Sequence, residues 1–149
     1  MLSRTAEYLY WISRYMERAE TTARLLDVGY RMSLFPNPSG YNNEWESVLS
    51  AAGAIEGYKN KYDIIEQRNV EDYLFFDESN PSSVYNCILN ARNNALVVRT
   101  SFTPESWLAI NKTYQEILNL KEQKFTKSDL PNLTAVSYTH LTLPTSVPV

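Results

Sequence analysis

The sequence predicts an all-α fold, an antiparallel bundle of about five helices. Apolar residues recur at spacings of three and four along most of the chain, as in helices that bury one face. Between those runs lie breaks rich in Pro, Gly and Asn. No segment before the last 14 residues alternates at period two, so no strand is expected there. The 149 residues are enough for one domain with a sizeable core.

The elements follow in order. Ser3 is placed to cap a first helix that runs to about Arg31, with Leu9, Ile12, Met16, Ala19, Ala23 and Leu26 as its seam. The run Phe35–Gly40, FPNPSG, is a turn. Asn42 or Asn43 then caps a second helix through Trp45, Val48, Leu49, Ala52 and Ile55, ending near Gly57. A short helix from Val70 to Phe76 follows Asn69. In Asn80-Pro81-Ser82-Ser83 the asparagine reads as a cap and the proline as the first helical residue. That helix continues along Val84, Ile88, Ala91, Ala95 and Val98. Thr103-Pro104 repeats the signal for a last helix carrying Trp107, Ile110, Tyr114, Ile117 and Leu118. The expected interior includes Leu9, Ile12, Met16, Ile88, Ala91 and Trp107.

From Val136 onward the chain has no Lys, Arg, Asp or Glu. A short strand or an unstructured tail would account for that composition. The run VSYTHLTLPT, however, resembles the translation of a transposase-end sequencing adapter. Residues 136–149 are therefore set aside as a non-native tail, and with them His140, the only His. Residues 1–135 are then expected to be the N-terminal part of a longer helical domain. A fragment of that kind should leave Leu108, Ile117, Leu120 and Phe125 uncovered.

Composition excludes several classes. Net charge is −3 with both signs intermixed, which gives no footprint for nucleic acid or an anionic membrane. No apolar run is long enough to cross a membrane. Cys87 is the only Cys, so no internal disulfide forms. A cytoplasmic setting is the default. With His140 set aside there is no imidazole for acid–base or metal chemistry, and no metal site or cofactor is expected. Cys87 lies on the apolar Val84–Ala91 face and reads as a core thiol. No catalytic residue can be assigned.

One cluster stands out. In Ser13–Leu26, SRYMERAETTARLL, Arg14, Glu17, Thr21 and Arg24 share the helix side opposite the apolar seam. Arg18 falls nearer Trp11 and Tyr15, where a guanidinium can stack on a ring while pairing with a carboxylate. Three readings are open: a solvated face of weak ion pairs, a buried structural network, or a binding site.

The opening run MLSRTAEYLYWISRYMERAETTARLLDV resembles the start of the alpha-E domain family, bacterial helical proteins named for a Glu-Arg motif. NPSSVYNCILNARNNALVVR and WLAIN are similar to its later segments, so the resemblance covers about residues 1–120. It places the Glu-Arg pair on Glu17-Arg18 and the family's arginine of the Asn-Pro-Ser-Ser helix on Arg92. The family's Ala-Arg-Glu-Asn-Ala-Arg pattern is altered here to Ala91-Arg92-Asn93-Asn94-Ala95-Leu96. The resemblance implies work beside an ATP-grasp-type amide ligase and transglutaminase-like proteins in peptide synthesis or modification. Two roles fit: a binding or scaffold module for such a partner, or half of an enzyme acting directly in peptide bond chemistry. The candidate binding residues are Arg14, Glu17, Arg18 and Arg92, expected as one polar network between the first helix and the Asn-Pro-Ser-Ser helix.

Overall fold

The computed structural model describes residues 2–35 and 43–123. Most of the Phe35–Gly40 turn, Asn42, Phe125, His140 and the whole 136–149 tail lie outside the described residues. Within them the chain forms six α-helices and no strand. They are α1 (Leu2–Ser33), α2 (Asn43–Ala51), α3 (Ile55–Lys61), α4 (Gln67–Phe75), α5 (Val84–Val97) and α6 (Pro104–Gln123), with a 3-10 turn at Arg99–Ser101.

Helix α1 is 32 residues long and carries the bundle. Its buried row is Ile12, Met16, Ala19, Ala23 and Leu26, each at most 5% exposed. The alternating steps of four and three keep that row on one side of the helix. Burying each large member contributes about 1.5–3 kcal/mol. The row packs chiefly against α5, whose Val84, Cys87, Ile88, Ala91 and Ala95 are fully buried. Gly29 continues the row and lets α2 approach: a Cβ there would stand 2.8 Å from Val48 Cγ2 and 2.9 Å from Trp45 Cζ3. Helix α6 runs antiparallel to α5, since Arg92 meets Asn111 while Glu78, before α5, meets Lys121.

Several boundaries differ from the sequence reading, each for a local reason. Ser3 lies inside α1, which already includes Leu2. The helix expected from Asn43 past Ile55 is two helices. At the break Gly53 adopts φ +67°, Ala54 N–H donates to Leu49 O and Gly53 N–H to Ser50 O, both at 3.0 Å. That pairing is a Schellman turn, and it needs the left-handed residue that glycine supplies. Helix α4 starts at Gln67, so Asn69 lies within it. Helix α5 starts at Val84 with Ser83 as its cap, its hydroxyl accepting from Asn86 N at 3.2 Å. Asn80 instead organises the turn before the helix. Thr103 caps α6 as expected, accepting from Ser106 N–H at 3.2 Å.

Two of the expected core residues sit outside it. Leu9 is 36% exposed, because it lies near the end of α1, which is far longer than the 14-residue α5 that covers it. Trp107 is half-buried at the start of α6, with the guanidiniums of Arg92 and Arg99 over its ring at 6.0 and 5.6 Å. On α6, Leu108 is exposed as expected, but Ile117 is 1% exposed and belongs to the core. No helix of the described residues is long and apolar enough to cross a membrane.

Candidate functional site

Two grooves of about 280 Å³ each lie along one flank of α1. The first is lined by Arg4, Glu7, Tyr8, Trp11, Tyr15 and, from α5, Asn94. The second takes Arg14, Glu17, Arg18, Thr22 and Leu25 from α1, Ser82 from the turn before α5, and the end of α2. Tyr8, Trp11, Tyr15, Arg18, Thr22 and Leu25 follow at alternating steps of three and four, so they form one row beside the buried one. The two grooves therefore share a helix flank, one half aromatic and the other basic and hydroxyl-bearing. Trp11 packs on Tyr15 with ring centroids 5.9 Å apart, which fixes the aromatic half.

In the basic half, Arg14 Nη1 and Glu17 Oε2 form an ion pair at 3.6 Å. Their side chains are 51% and 60% exposed, so water screens the pair and it contributes about 0.2–0.5 kcal/mol. Arg24 and Glu20 pair at 2.6 Å one turn on. Arg18 is exposed and forms no ion pair with another described residue. Its charge is felt by Cys87 beneath it. Burial pushes that thiol up to about 11, and Arg18 pulls weakly the other way. Cys87 is thus a buried core thiol whose surroundings disfavour the thiolate.

Of the four candidate binding residues, the structure brings three to this flank and places Arg92 elsewhere. Arg92 lies five residues beyond Cys87, about 140° round α5 at 3.6 residues per turn. Its Nε donates to Asn111 Oδ1 at 3.0 Å, and its guanidinium lies 4.8 Å from the Tyr114 ring centroid. It fastens α5 to α6. The network expected between α1 and α5 therefore lacks Arg92, and Glu17 is solvated rather than buried.

Sequence reasoning missed a second polar cluster altogether. Asp77, at the end of α4, is buried and accepts from Lys61 Nζ at 2.6 Å, Ser79 Oγ at 2.6 Å and Ser79 N–H at 2.8 Å. Burial alone would raise its carboxyl, but Lys61 and Ser79 outweigh that and hold it below the usual value. Tyr58 stacks on Tyr62 and Tyr73 meets both edge to face at this corner, and burial raises all three phenols. Asn80 Nδ2 donates to Tyr73 O at 3.0 Å, and Asn86 Nδ2 donates to Glu78 O and Asn80 O at 2.9 and 2.8 Å. The Asp-Glu-Ser-Asn run was its one visible signal, since such residues bond to nearby backbone. These polar atoms are matched within the fold. Among the described residues, no group of three or more His, Cys, Asp or Glu is arranged to hold a metal ion.

Glu17-Arg18, on the open flank, is the only Glu-Arg dipeptide in the chain. A family model described as Alpha-E, "a predicted alpha-helical domain with a conserved ER motif", matches residues 1–141. The chain belongs to the Alpha-E family. The match includes residues 136–141 of the segment set aside in the sequence reading. No curated protein and no solved structure matches this Alpha-E chain.

Proposed function

We propose that this Alpha-E chain is a binding or scaffold module that works with an ATP-grasp-type amide ligase or a transglutaminase-like protein in peptide synthesis or modification. The observation that supports it is Arg18: a guanidinium held in the open beside the aromatic half of the flank, without a carboxylate partner among the described residues. Guanidinium forks hold carboxylates and phosphates, the groups such partners and their substrates carry. The buried Cys87 thiol supports binding over covalent catalysis by this chain. Glu17 holds Arg14 in an ion pair and leaves Arg18 available for a partner.

The test is co-purification of the full chain with the ligase, followed by ATP-dependent ligation with and without it. The expected result is ligase retention that is lost in Arg18→Gln, and ligation that needs the ligase. Ligation by this chain alone would overturn the module reading in favour of an enzyme. Absence of retention by the unaltered chain would also overturn it.

A further inference from the structure

We propose that the α1 flank binds an extended peptide. Its terminal carboxylate would lie on Arg18, and an aromatic side chain near its C-terminus on Trp11 and Tyr15. This names the ligand class of the site above and rests on that reading.

The shape of the site favours such an occupant. The lined flank runs from Arg4 to Leu25, about 31 Å at 1.5 Å per residue. That is the length of about nine extended residues. Both grooves are open to solvent along the helix, unlike the enclosed cavities that bury a small molecule.

The chemistry points the same way. Trp11 is 41% exposed, so a ring face is free to stack. The hydroxyls of Thr21 and Ser82 and the amide of Asn94 border the same flank and suit peptide N–H and C=O groups. Among the described residues the charged lining groups are Arg4, Arg14 and Arg18 against Glu7 and Glu17, which leaves one positive charge in excess. One excess charge matches one carboxylate, whereas a nucleic acid backbone needs many cations along its track. Of the three arginines, Arg14 is paired with Glu17, while Arg4 and Arg18 form no ion pair with another described residue, and Arg18 is the one at the end bounded by Ala51 and Ala52. Ala51 at the end of α2 and Ala52 just after it close in at the Arg18 end, while among the described residues α1 and Asn94 bound the aromatic end. The peptide therefore ends at Arg18 and continues past Trp11. The groove there is lined by residues next to two helix ends of opposite polarity, Ala51 and Ala52 at the C-terminus of α2 and Ser82 before α5. Arg18 is left to set the sign. Trp11 precedes Arg18 by seven positions, about 10 Å along the helix, or roughly three extended residues. The aromatic side chain should therefore be the third from the peptide's C-terminus.

The probe is an N-terminally fluorescein-labelled peptide, Gly-Ser-Gly-Ser-Gly-Phe-Gly-Gly, read by anisotropy against the full chain. Its companions are the C-terminal amide, the same amide with an internal Glu, and the free acid with Ala for Phe. The free acid should bind about tenfold more tightly than either amide, as for one hydrogen bond to a charged group. Arg18→Gln should erase that difference. Trp11→Ala should erase the preference for Phe over Ala while keeping the preference for acid over amide. Equal binding of acid and amide, or an acid preference unchanged in Arg18→Gln, would overturn the inference. So would tighter binding of the internal-Glu amide than of the free acid. The assay contains no ligase. Peptide discrimination without ligase capture would leave this inference standing and remove the module reading. Arg18-dependent ligase capture without peptide discrimination would do the reverse.

Discussion

Two polar clusters sit on this bundle and differ in almost every physical respect. The Asp77 corner joins α3, α4 and the start of α5, and its carboxylate side chain is 4% exposed with three donors on it. Glu17 and Arg18 are exposed on one helix, where Glu17 pairs with Arg14 at 3.6 Å and Arg18 forms no ion pair with another described residue. A buried polar group without partners is costly, so the first cluster had to be satisfied internally for the chain to fold. Nothing in folding requires the second. Its groups are therefore open to the partner proposed above.

The sharpest way to break this contrast is Asp77→Ala. It removes a buried carboxylate and leaves the Ser79 N–H without its acceptor. Lys61 is half-exposed and can turn to solvent, which discounts the loss. The expected destabilisation is about 2–4 kcal/mol, read from the denaturant midpoint of the full chain. Asp77→Asn should lose less. The folded carboxyl lies below its ordinary 3.8, so its stabilisation is present above that value and is lost as pH falls through the lower folded value. Asp77→Asn should therefore flatten the acid side of the stability profile. A variant as stable as the unaltered chain would show that the corner is not what joins α3 to α4.

The second test asks whether α1 depends on close packing along its core row. Gly29→Ala places a methyl 2.8 Å from Val48 Cγ2 and 2.9 Å from Trp45 Cζ3. Helix propensity alone would favour alanine by about 1 kcal/mol. Overpacking should win, because both neighbours are buried, giving a net loss of about 1–2 kcal/mol. A gain in thermal stability would mean that α2 can move away from α1 freely.

The sequence made one of these clusters legible and hid the other. Glu17 and Arg18 are adjacent in the chain, so a helical wheel was enough to put them beside Trp11. Asp77 and Lys61 are 16 residues apart, and their meeting depends on the Schellman turn at Gly53 and on where α4 starts. Local signals also competed. Asn80 and Ser83 are both good caps, and on sequence alone the proline that follows Asn80 favours the asparagine. Ser83 won because Asn80 holds Tyr73 O and Ser82 N–H in the turn. The resemblance implies Arg92 near α1. Its position about 140° round α5 from Cys87 instead turns it to Asn111 and Tyr114 of α6. The long core row of α1 and the Thr103 cap were legible because each depends on neighbours within a turn or two.

The smallest expected effect belongs to the Glu17-Arg18 cluster. Glu17→Gln breaks the Arg14 pair, and a buried network would make that a loss of about 2–4 kcal/mol. Both side chains are more than half exposed, so the pair is screened and its partners rehydrate when it breaks. The expected change is below about 0.5 kcal/mol, and salt should reduce it further. Arg18→Gln should be as mild, since its guanidinium pairs with no other described residue. Denaturant titrations of both variants, at low and high salt, provide the measurement. Their near-silence in stability is what allows Arg18→Gln to be used in binding assays: any loss of capture is then a loss of contact and not of fold. A loss of 2 kcal/mol or more in Glu17→Gln would instead move this pair into the class of Asp77 and undo the distinction between the two clusters.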